Sequence, residues 1–469
     1  MLYTKGVFKM YDCSKEFSTF YRKKVVLSAK EQDELRKRRK QNIRRIKDGL
    51  NEYNEEKKTS YKISEDRIQG SMAMHTITQN DEKDYDIDVG IVFEADCLNS
   101  LGAQATRNMV ANALERKTRQ FAQPPEVKTS CVRLKYSSLG YHMDFAVFQR
   151  SKEYEWDDNY IYEHAGTEWT ERHIKALEEW FINRVKYSGD DLRKIVRLSK
   201  MFCKSRDSWK NMPSGLVQTI LCDSKLKNYY SRLDEKFYYT MQAIVQRLDI
   251  HLDVNAPVDN GRELIIRDVD YKRMENWKNR LRASLNKLDI LFDKECSRED
   301  ALQAWALFFN HSYWEELAEQ NQRSNISESR FLSFNDTEQF IEELYPIYEN
   351  YNVSIDCDVS GNGFSVMPIE KFFDKLSPQL KRFIPYNFSI RCRLGDTDCP
   401  TYDKILWKVR NIGIEAEKRN CIRGQIVDNR GTEIIENSNF AGLHYIECYL
   451  IKNDICVGIG HVDIPIGGI

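Results

Sequence analysis

The chain has 469 residues, of which 41% are hydrophobic, 12% aromatic and 30% charged, with a mean hydropathy of -0.63. That length exceeds what one hydrophobic core usually organises, so two or three soluble domains are expected. The 71 Lys and Arg residues against 72 Asp and Glu leave a net charge of -1, which excludes a globally basic binder of nucleic acid or membrane and leaves such contacts to local patches.

No apolar run approaches the roughly eighteen residues of a membrane span, and the opening MLYTKGVFKMYDCSKEF lacks the apolar stretch of a signal peptide. A cytoplasmic protein is expected. The twelve cysteines are scattered singly, without CxxC pairs or Cys/His groups at zinc spacing, which argues against a metal finger and against a secreted disulfide scaffold. Cys392 and Cys399, the closest pair, are expected as reduced thiols.

In chain order, Ser28 to about Lys58 is proline-free and rich in Glu, Lys, Arg and Gln, predicting one long charged helix with Ser28 as N-cap. From Arg67 to Phe148, the strand-like runs DIDVGIVF, VRLKYSS and HMDFAVF alternate with a helical pattern from Ala103 to Phe121, closed by Pro124 and Pro125. A helical MAMHTIT is expected after Gly70-Ser71. From Trp169 to about Arg323 helices dominate, as in LRKIVRLSKMFCKSRDSW, where Leu192, Ile195, Val196, Leu198 and Phe202 recur at helical intervals. The polar QNQRSNISESR reads as a linker, and beyond it short strands end in HYIECYLI and ICVGIGHVDI. The expectation is an α+β protein with an α/β lobe and its long N-terminal helix at 1–165, a helical lobe at 166–330 and a β-rich domain at 335–469.

The chemistry concentrates around Gln69-Gly70-Ser71 and Asp86-Ile87-Asp88. Residues two apart on a strand share a face, so Asp86 and Asp88 present paired carboxylates while Ile87 and Val89 face the core. Their mutual repulsion is relieved by a divalent cation, and Mg²⁺ favours a few carboxylates plus substrate phosphates. Asp144, in the later apolar strand YHMDFAVF, completes a set of three acids able to hold two Mg²⁺ or Mn²⁺ ions for an in-line phosphoryl displacement. Gly70 and Ser71 offer backbone N–H groups and a hydroxyl to a triphosphate.

QGS, then KDYDIDVGIVF, then HMDFAVF, occur in the order of the nucleotidyltransferase superfamily that includes DNA polymerase beta. The chain resembles, within it, the bacterial cGAS/DncV-like nucleotidyltransferases, which make nucleotide signals in anti-phage defence. The resemblance implies a polymerase-beta-like catalytic lobe in which Asp86 and Asp88 bind both metals and Asp144 the catalytic one. It places Lys200 of LSKMFCKS and Ser214 of NMPSGLVQTI at the donor triphosphate or base. The strings FIEELYP, LWKVRNIGIEAEKRN, IRGQI and AGLHYIECYLI resemble the C-terminal sensor domain found on adenylyl/guanylyl cyclase-like proteins and on these synthases. In that domain Trp407, Val409 and Tyr445 read as sheet core, and Arg410, Asn411, Arg423 and His444 as polar candidates for a ligand surface.

The resemblance implies an enzyme that polymerises nucleoside triphosphates, ATP or dATP foremost, into a short cyclic or linear oligonucleotide that controls a separate effector, for a linear product a membrane protein. A linear product needs a priming hydroxyl, and Tyr445 and Tyr449 are the tyrosines nearest the tail. The rival readings are an RNA- or tRNA-tailing enzyme, with RKRRKQNIRRIK on the first helix as a nucleic-acid track, and a non-catalytic sensor.

Overall fold

A computed structural model describes residues 9–79, 85–137, 140–154, 156, 159–258, 261–324, 338–376, 383–428 and 431–467. The elements of the first part are helices α1 (Ser14–Phe20) and α2 (Ala29–Lys57), strand β1 (Ile63–Gln69), the single turn α3 (Gly70–Ala73), β2 (Asp86–Glu94), α4 (Ala103–Arg116), β3 (Glu126–Val127), β4 (Val132–Tyr136), β5 (Tyr141–Ser151), β6 (Ile161–Ala165) and β7 (Trp169–Glu171). Seven helices follow: α5 (Ala176–Ser188), α6 (Asp191–Cys203), α7 (Gly215–Lys225), α8 (Leu233–Ile250), α9 (Asp268–Asn286), α10 (Arg298–Phe309) and α11 (Ser312–Ser324). The QNQRSNISESR linker lies largely outside the described residues.

The first sheet runs β1-β2-β5-β4-β3, with β6 on β5 and β7 on β6. β2 and β5 are parallel and the other pairs antiparallel. Alternation along β2 works as expected: Ile87, Val89 and Ile91 are fully buried while Asp88 faces the other way, half-buried. Helix α2 packs through Asn42, Ile43, Ile46 and Leu50, a stripe at helical spacing. Asn42 donates to the Tyr136 hydroxyl at 2.6 Å. Gly49 lets α2 approach α4, since a Cβ there would stand 1.9 Å from the Ala113 carbonyl oxygen.

The structure divides into two compact units, Met1–Ser28 with Arg38–Arg330, and Ala29–Lys37 with Phe331–Ile469. This differs from the expected boundaries in two places, each with a packing cause. Helix α1 does not stay with the α/β lobe: Phe17 and Phe20 are buried in the helical core, where Phe17 meets Trp305 edge-on at 4.7 Å and Phe20 lies 5.1 Å from Trp314. The α/β and helical lobes therefore form one unit. The first nine residues of α2 cluster with the C-terminal unit, in which Arg36 donates from Nε and Nη2 to Glu349 at 2.6 and 3.0 Å, both residues buried.

The C-terminal unit is a sheet of β8 (Ile347–Gly361), β9 (Phe364–Pro368), β10 (Ser389–Thr397), β11 (Lys404–Arg410), β12 (Arg423–Val427), β13 (Glu433–Asn437), β14 (Gly442–Lys452) and β15 (Ile455–Ile466), in the order β12-β11-β14-β15-β8-β10-β13 with β9 on β8. Trp407 is fully buried and Val409 and Tyr445 are buried, as the sheet-core reading requires. One expectation is overturned. Cys392 is not a reduced thiol but is disulfide-bonded to Cys357, its direct cross-strand partner, while Cys399 is free and buried. Register brings together two cysteines that are 35 residues apart in sequence.

This unit also buries an ionic network. Lys408 Nζ lies 2.7 Å from Glu338 and 3.4 Å from Glu447, and Glu447 accepts from the Tyr449 hydroxyl at 2.8 Å. Burial pushes Glu447 up, but Lys408, His461 and Tyr449 outweigh it and hold its carboxyl well below the usual range. Burial opposes a charge on His461, yet Asp463 and Glu447 hold its pKa at about 9. Among the described residues no helix is long and apolar enough to cross a membrane.

Candidate active site

Strand register builds the site. Gln69 of β1 pairs with Asp88 of β2, Asp88 with Asp144 of β5, and Asp144 with Arg133 of β4, so four side chains form one row across the sheet. Asp88 and Asp144 line a cleft of about 670 Å³ between the sheet and helices α5 to α7, a size typical of small-molecule sites. The backbone of Asp86 pairs with His142, and its side chain lies outside the described residues. Among the described residues, no set of three acidic, His or Cys groups gathers as a metal site.

Asp144 is held by a cation. Arg133 donates from Nε to Oδ1 at 2.6 Å and from Nη2 to Oδ2 at 2.5 Å, engaging both carboxylate oxygens. The buried Cys131 thiol stands beside the same carboxylate; burial first, and then the Asp144 charge, push its pKa up to about 11. A positive group thus already sits against Asp144, and Asp88 is its neighbour in register. This donor set suits a hard divalent cation.

Gly70 makes the turn into α3 with φ +62°, a conformation that favours glycine, and a Cβ there would stand 2.2 Å from Asp88 Oδ2 and push that carboxylate aside. Its N–H donates at 3.1 Å to Glu178 Oε1 on α5, and burial pushes the Glu178 carboxyl up. Ser71 lines the cleft. The expected MAMHTIT helix is shorter than its sequence suggests. It ends at Ala73, and His75 turns the chain at φ 53° before Thr78 bridges to Val26.

On the opposite wall, Lys200 of α6 donates from Nζ to Thr76 Oγ1 at 2.8 Å and to the Thr76 carbonyl at 3.2 Å. Burial, then the charges of Lys204 and Arg197, push its pKa down to about 7. Gly215 leaves room for it, since a Cβ there would meet Lys200 Cε at 3.0 Å. Ser214 is exposed at the N-cap of α7, where Oγ accepts the Val217 N–H at 3.4 Å; its neighbours Pro213 and Gly215 line the cleft.

The cleft thus brings together Gly70, Ser71, Asp88, Asp144 and Lys200. Sequence reasoning missed Arg133, Thr76, Glu178 and the cleft-wall residues Lys204 and Trp209. The Trp209 ring is covered by Arg206, with the guanidinium carbon 4.3 Å from its centroid. Only long-range packing assembles these groups.

The polar candidates of the C-terminal sheet are tied into its own hydrogen bonding. Asn411 donates to the Cys421 carbonyl at 2.8 Å, and His444 Nδ1 accepts the Ile412 N–H at 3.1 Å. Arg423 makes a double contact with Glu436 at 2.7 and 3.0 Å, and Arg410 donates to the Arg423 carbonyl at 3.1 Å. Asn411, Arg423 and His444 border a cavity of about 100 Å³, room for about three waters and well below the ~300 Å³ of small ligand pockets. Tyr445 and Tyr449 are buried, their hydroxyls donating to Glu338 and Glu447.

Comparison with known proteins agrees with both halves of this architecture. Residues 64–148 match the family model "Cyclic GMP-AMP synthase DncV-like, nucleotidyltransferase domain", and residues 335–467 match "Adenylyl/Guanylyl and SMODS C-terminal sensor domain". A cyclic GMP-AMP synthase of Escherichia albertii is 24% identical over 404 residues, covering 83% of this chain and 82% of that protein. Vibrio cholerae DncV, solved with the linear intermediate 5' pppA(3',5')pG, shares the fold with a TM-score of 0.52 at 17% identity, covering 65% of this chain and 97% of its own. A point mutant of the same enzyme in complex with ATP, GTP and 5MTHFGLU2 also superposes with a TM-score of 0.52, at 16% identity and over 65% of this chain and 97% of its own. Residues 64–148 are therefore a DncV-like nucleotidyltransferase domain and residues 335–467 an adenylyl/guanylyl and SMODS C-terminal sensor domain, and the chain carrying them resembles the cGAS/DncV-like synthases.

Proposed function

We propose that this enzyme joins nucleoside triphosphates, ATP or dATP foremost, into a short cyclic or linear oligonucleotide, releasing pyrophosphate, and that the product controls a separate effector in anti-phage defence. The observation that carries the reaction is the in-register Asp88–Asp144 pair facing a cleft whose rim is the Gly70 turn. Asp86, Asp88 and Asp144 would hold two Mg²⁺ or Mn²⁺ ions. When bound there, the ions supply activation of the attacking hydroxyl and charge stabilisation of the pyrophosphate. The Gly70–Ser71 turn, whose Gly70 N–H is held by Glu178, would offer the Ser71 N–H and hydroxyl to the triphosphate, and Lys200 faces it across the cleft as a point charge. The defence role and the effector rest on the family resemblance alone.

The basic run on α2 gives the tailing reading little support. Arg36 is bonded to Glu349, and Arg39 is buried with Asp66 at 4.0 Å. Arg38 lies over the rings of Tyr136 and Tyr141, and Arg45 over Phe121. These cations serve internal packing. Incubating the purified protein with each of the eight nucleoside triphosphates plus Mg²⁺ or Mn²⁺, and resolving products by mass, tests the proposal. Cyclic or short linear oligonucleotides support it; products appearing only when an RNA acceptor is added would overturn it in favour of tailing.

A further inference from the structure

We propose that Arg133 is a resident counter-ion of the metal site, occupying both oxygens of Asp144 until a divalent cation displaces it, and thereby setting the affinity for that cation. The inference rests on the reading of Asp144 as a metal ligand. Its own basis is separate: the register that makes Arg133 the direct cross-strand partner of Asp144, and the double contact at 2.6 and 2.5 Å that uses both carboxylate oxygens.

A carboxylate engaged at both oxygens by a guanidinium has its best acceptor directions taken. A dication approaching between Asp88 and Asp144 meets that guanidinium in the same place. The two positive groups repel at short range, so a dication ligated by an Asp144 oxygen loosens the guanidinium's hold on it. Exposure makes the exchange feasible. The Arg133 side chain is 22% and Asp144 14% accessible, so the departing guanidinium can reach solvent without being buried alone, the situation that makes broken ion pairs costly. The same pairing explains how Asp144 and Asp88 tolerate each other in adjacent strands without metal: the Arg133 charge offsets their repulsion. Arg133 is thus a positioning residue that acts through Asp144.

The test is Mn²⁺ binding to the full-length protein without nucleotide, read as loss of the free hexaaquo Mn²⁺ signal in electron paramagnetic resonance. Wild type, Arg133→Met, Arg133→Lys, Asp144→Asn and the double variant Arg133→Met/Asp144→Asn are compared, with melting temperatures in EDTA and in Mn²⁺. A partly exposed pair of this kind is worth a modest factor, so Arg133→Met should bind Mn²⁺ about three- to tenfold more tightly than wild type. Arg133→Lys should fall between. The melting temperature of Arg133→Met in EDTA should drop and recover with Mn²⁺ more than in wild type.

In the Asp144→Asn background, removing Arg133 should leave Mn²⁺ affinity unchanged. Affinity in Arg133→Met equal to or weaker than wild type, with Asp144→Asn clearly weakened, overturns the counter-ion inference and leaves the metal site standing. Equal affinity in wild type and Asp144→Asn overturns the metal reading of Asp144 and the inference with it. If Arg133→Met does not melt cooperatively, Arg133→Lys, which keeps the charge but loses the fork, decides by the same criterion.

Discussion

The two sheets of this protein both set acids against cations, and they do it to different ends. In the C-terminal sheet Lys408 is 3% and Glu447 8% accessible, and Glu447 has Lys408, His461 and Tyr449 around it. In the catalytic sheet Arg133 is 22% and Asp144 14% accessible, and Asp144 lines a cleft and neighbours a second acid, Asp88. A sealed network has no outlet for a displaced charge and serves architecture. A pair at a cleft wall can trade its cation for another. Depth of burial, more than residue type, separates a structural ion pair from an exchangeable one.

The comparison can be broken at several points. The largest effect should come from Asp88→Asn or Asp144→Asn, each lowering nucleotide incorporation by about 100-fold or more through loss of a metal-binding charge, with folding retained. Radiolabelled incorporation and circular dichroism check this, and near-parent activity in the double variant would move the site elsewhere. Lys408→Met should instead act on stability, costing about 3 kcal/mol because the buried Glu447 loses its ammonium and keeps only His461 and the Tyr449 hydroxyl; chemical denaturation measures it. A loss below about 1 kcal/mol would mean the network is far wetter than its burial implies.

Gly70→Ala lies between these extremes. A left-handed alanine costs about 1–2 kcal/mol, but the added Cβ would collide with Asp88 Oδ2, so activity should fall far more than stability. Parallel melting and rate measurements separate the two.

Lys200 gives a smaller, pH-dependent effect. Its pKa stands near 7 in the free protein, and a triphosphate beside it favours the ammonium form. Binding at pH 8 should therefore take up a proton, and affinity should decline as pH rises above about 7, where the free protein must gain the proton to bind. Calorimetry with a non-hydrolysable triphosphate in two buffers of different ionisation enthalpy reads the uptake; Lys200→Met should lose it and bind more weakly. The smallest effect is expected at Arg44, whose side chain is 85% accessible. Arg44→Gln should change stability by less than about 0.5 kcal/mol and leave synthesis intact. If α2 were a nucleic-acid track, the slope of log affinity against log salt would instead become shallower by up to about 0.9.

What was legible in the sequence was what depends on local periodicity. Asp88 could be placed from the alternation of Ile87, Val89 and Ile91 on one strand, and α2 from an unbroken run of helix formers with Ala29–Lys57 as the result; Lys200 is singled out by the family resemblance, periodicity giving only its helix. What depends on register or on packing between distant segments stayed hidden. Arg133 meets Asp144 only because β4 pairs with β5 at that offset. Cys357 meets Cys392 for the same reason on β8 and β10. Phe17 enters the helical core beside Trp305 across nearly three hundred residues of chain, and Glu178 reaches Gly70 from a different lobe. Single-sequence periodicity carries no information on such offsets.

The central claim is that the Asp88–Asp144 row is where metal and nucleotide meet. Its most direct test is a crystal of the full-length protein grown with Mn²⁺ and a non-hydrolysable triphosphate, with anomalous scattering recorded for manganese. The account predicts anomalous density within about 2.1 Å of oxygens of Asp88 and Asp144, triphosphate oxygens completing the shell beside Gly70 and Ser71, and the Arg133 guanidinium withdrawn from at least one Asp144 oxygen. Manganese and triphosphate bound elsewhere, with Arg133 still holding both Asp144 oxygens, would contradict it.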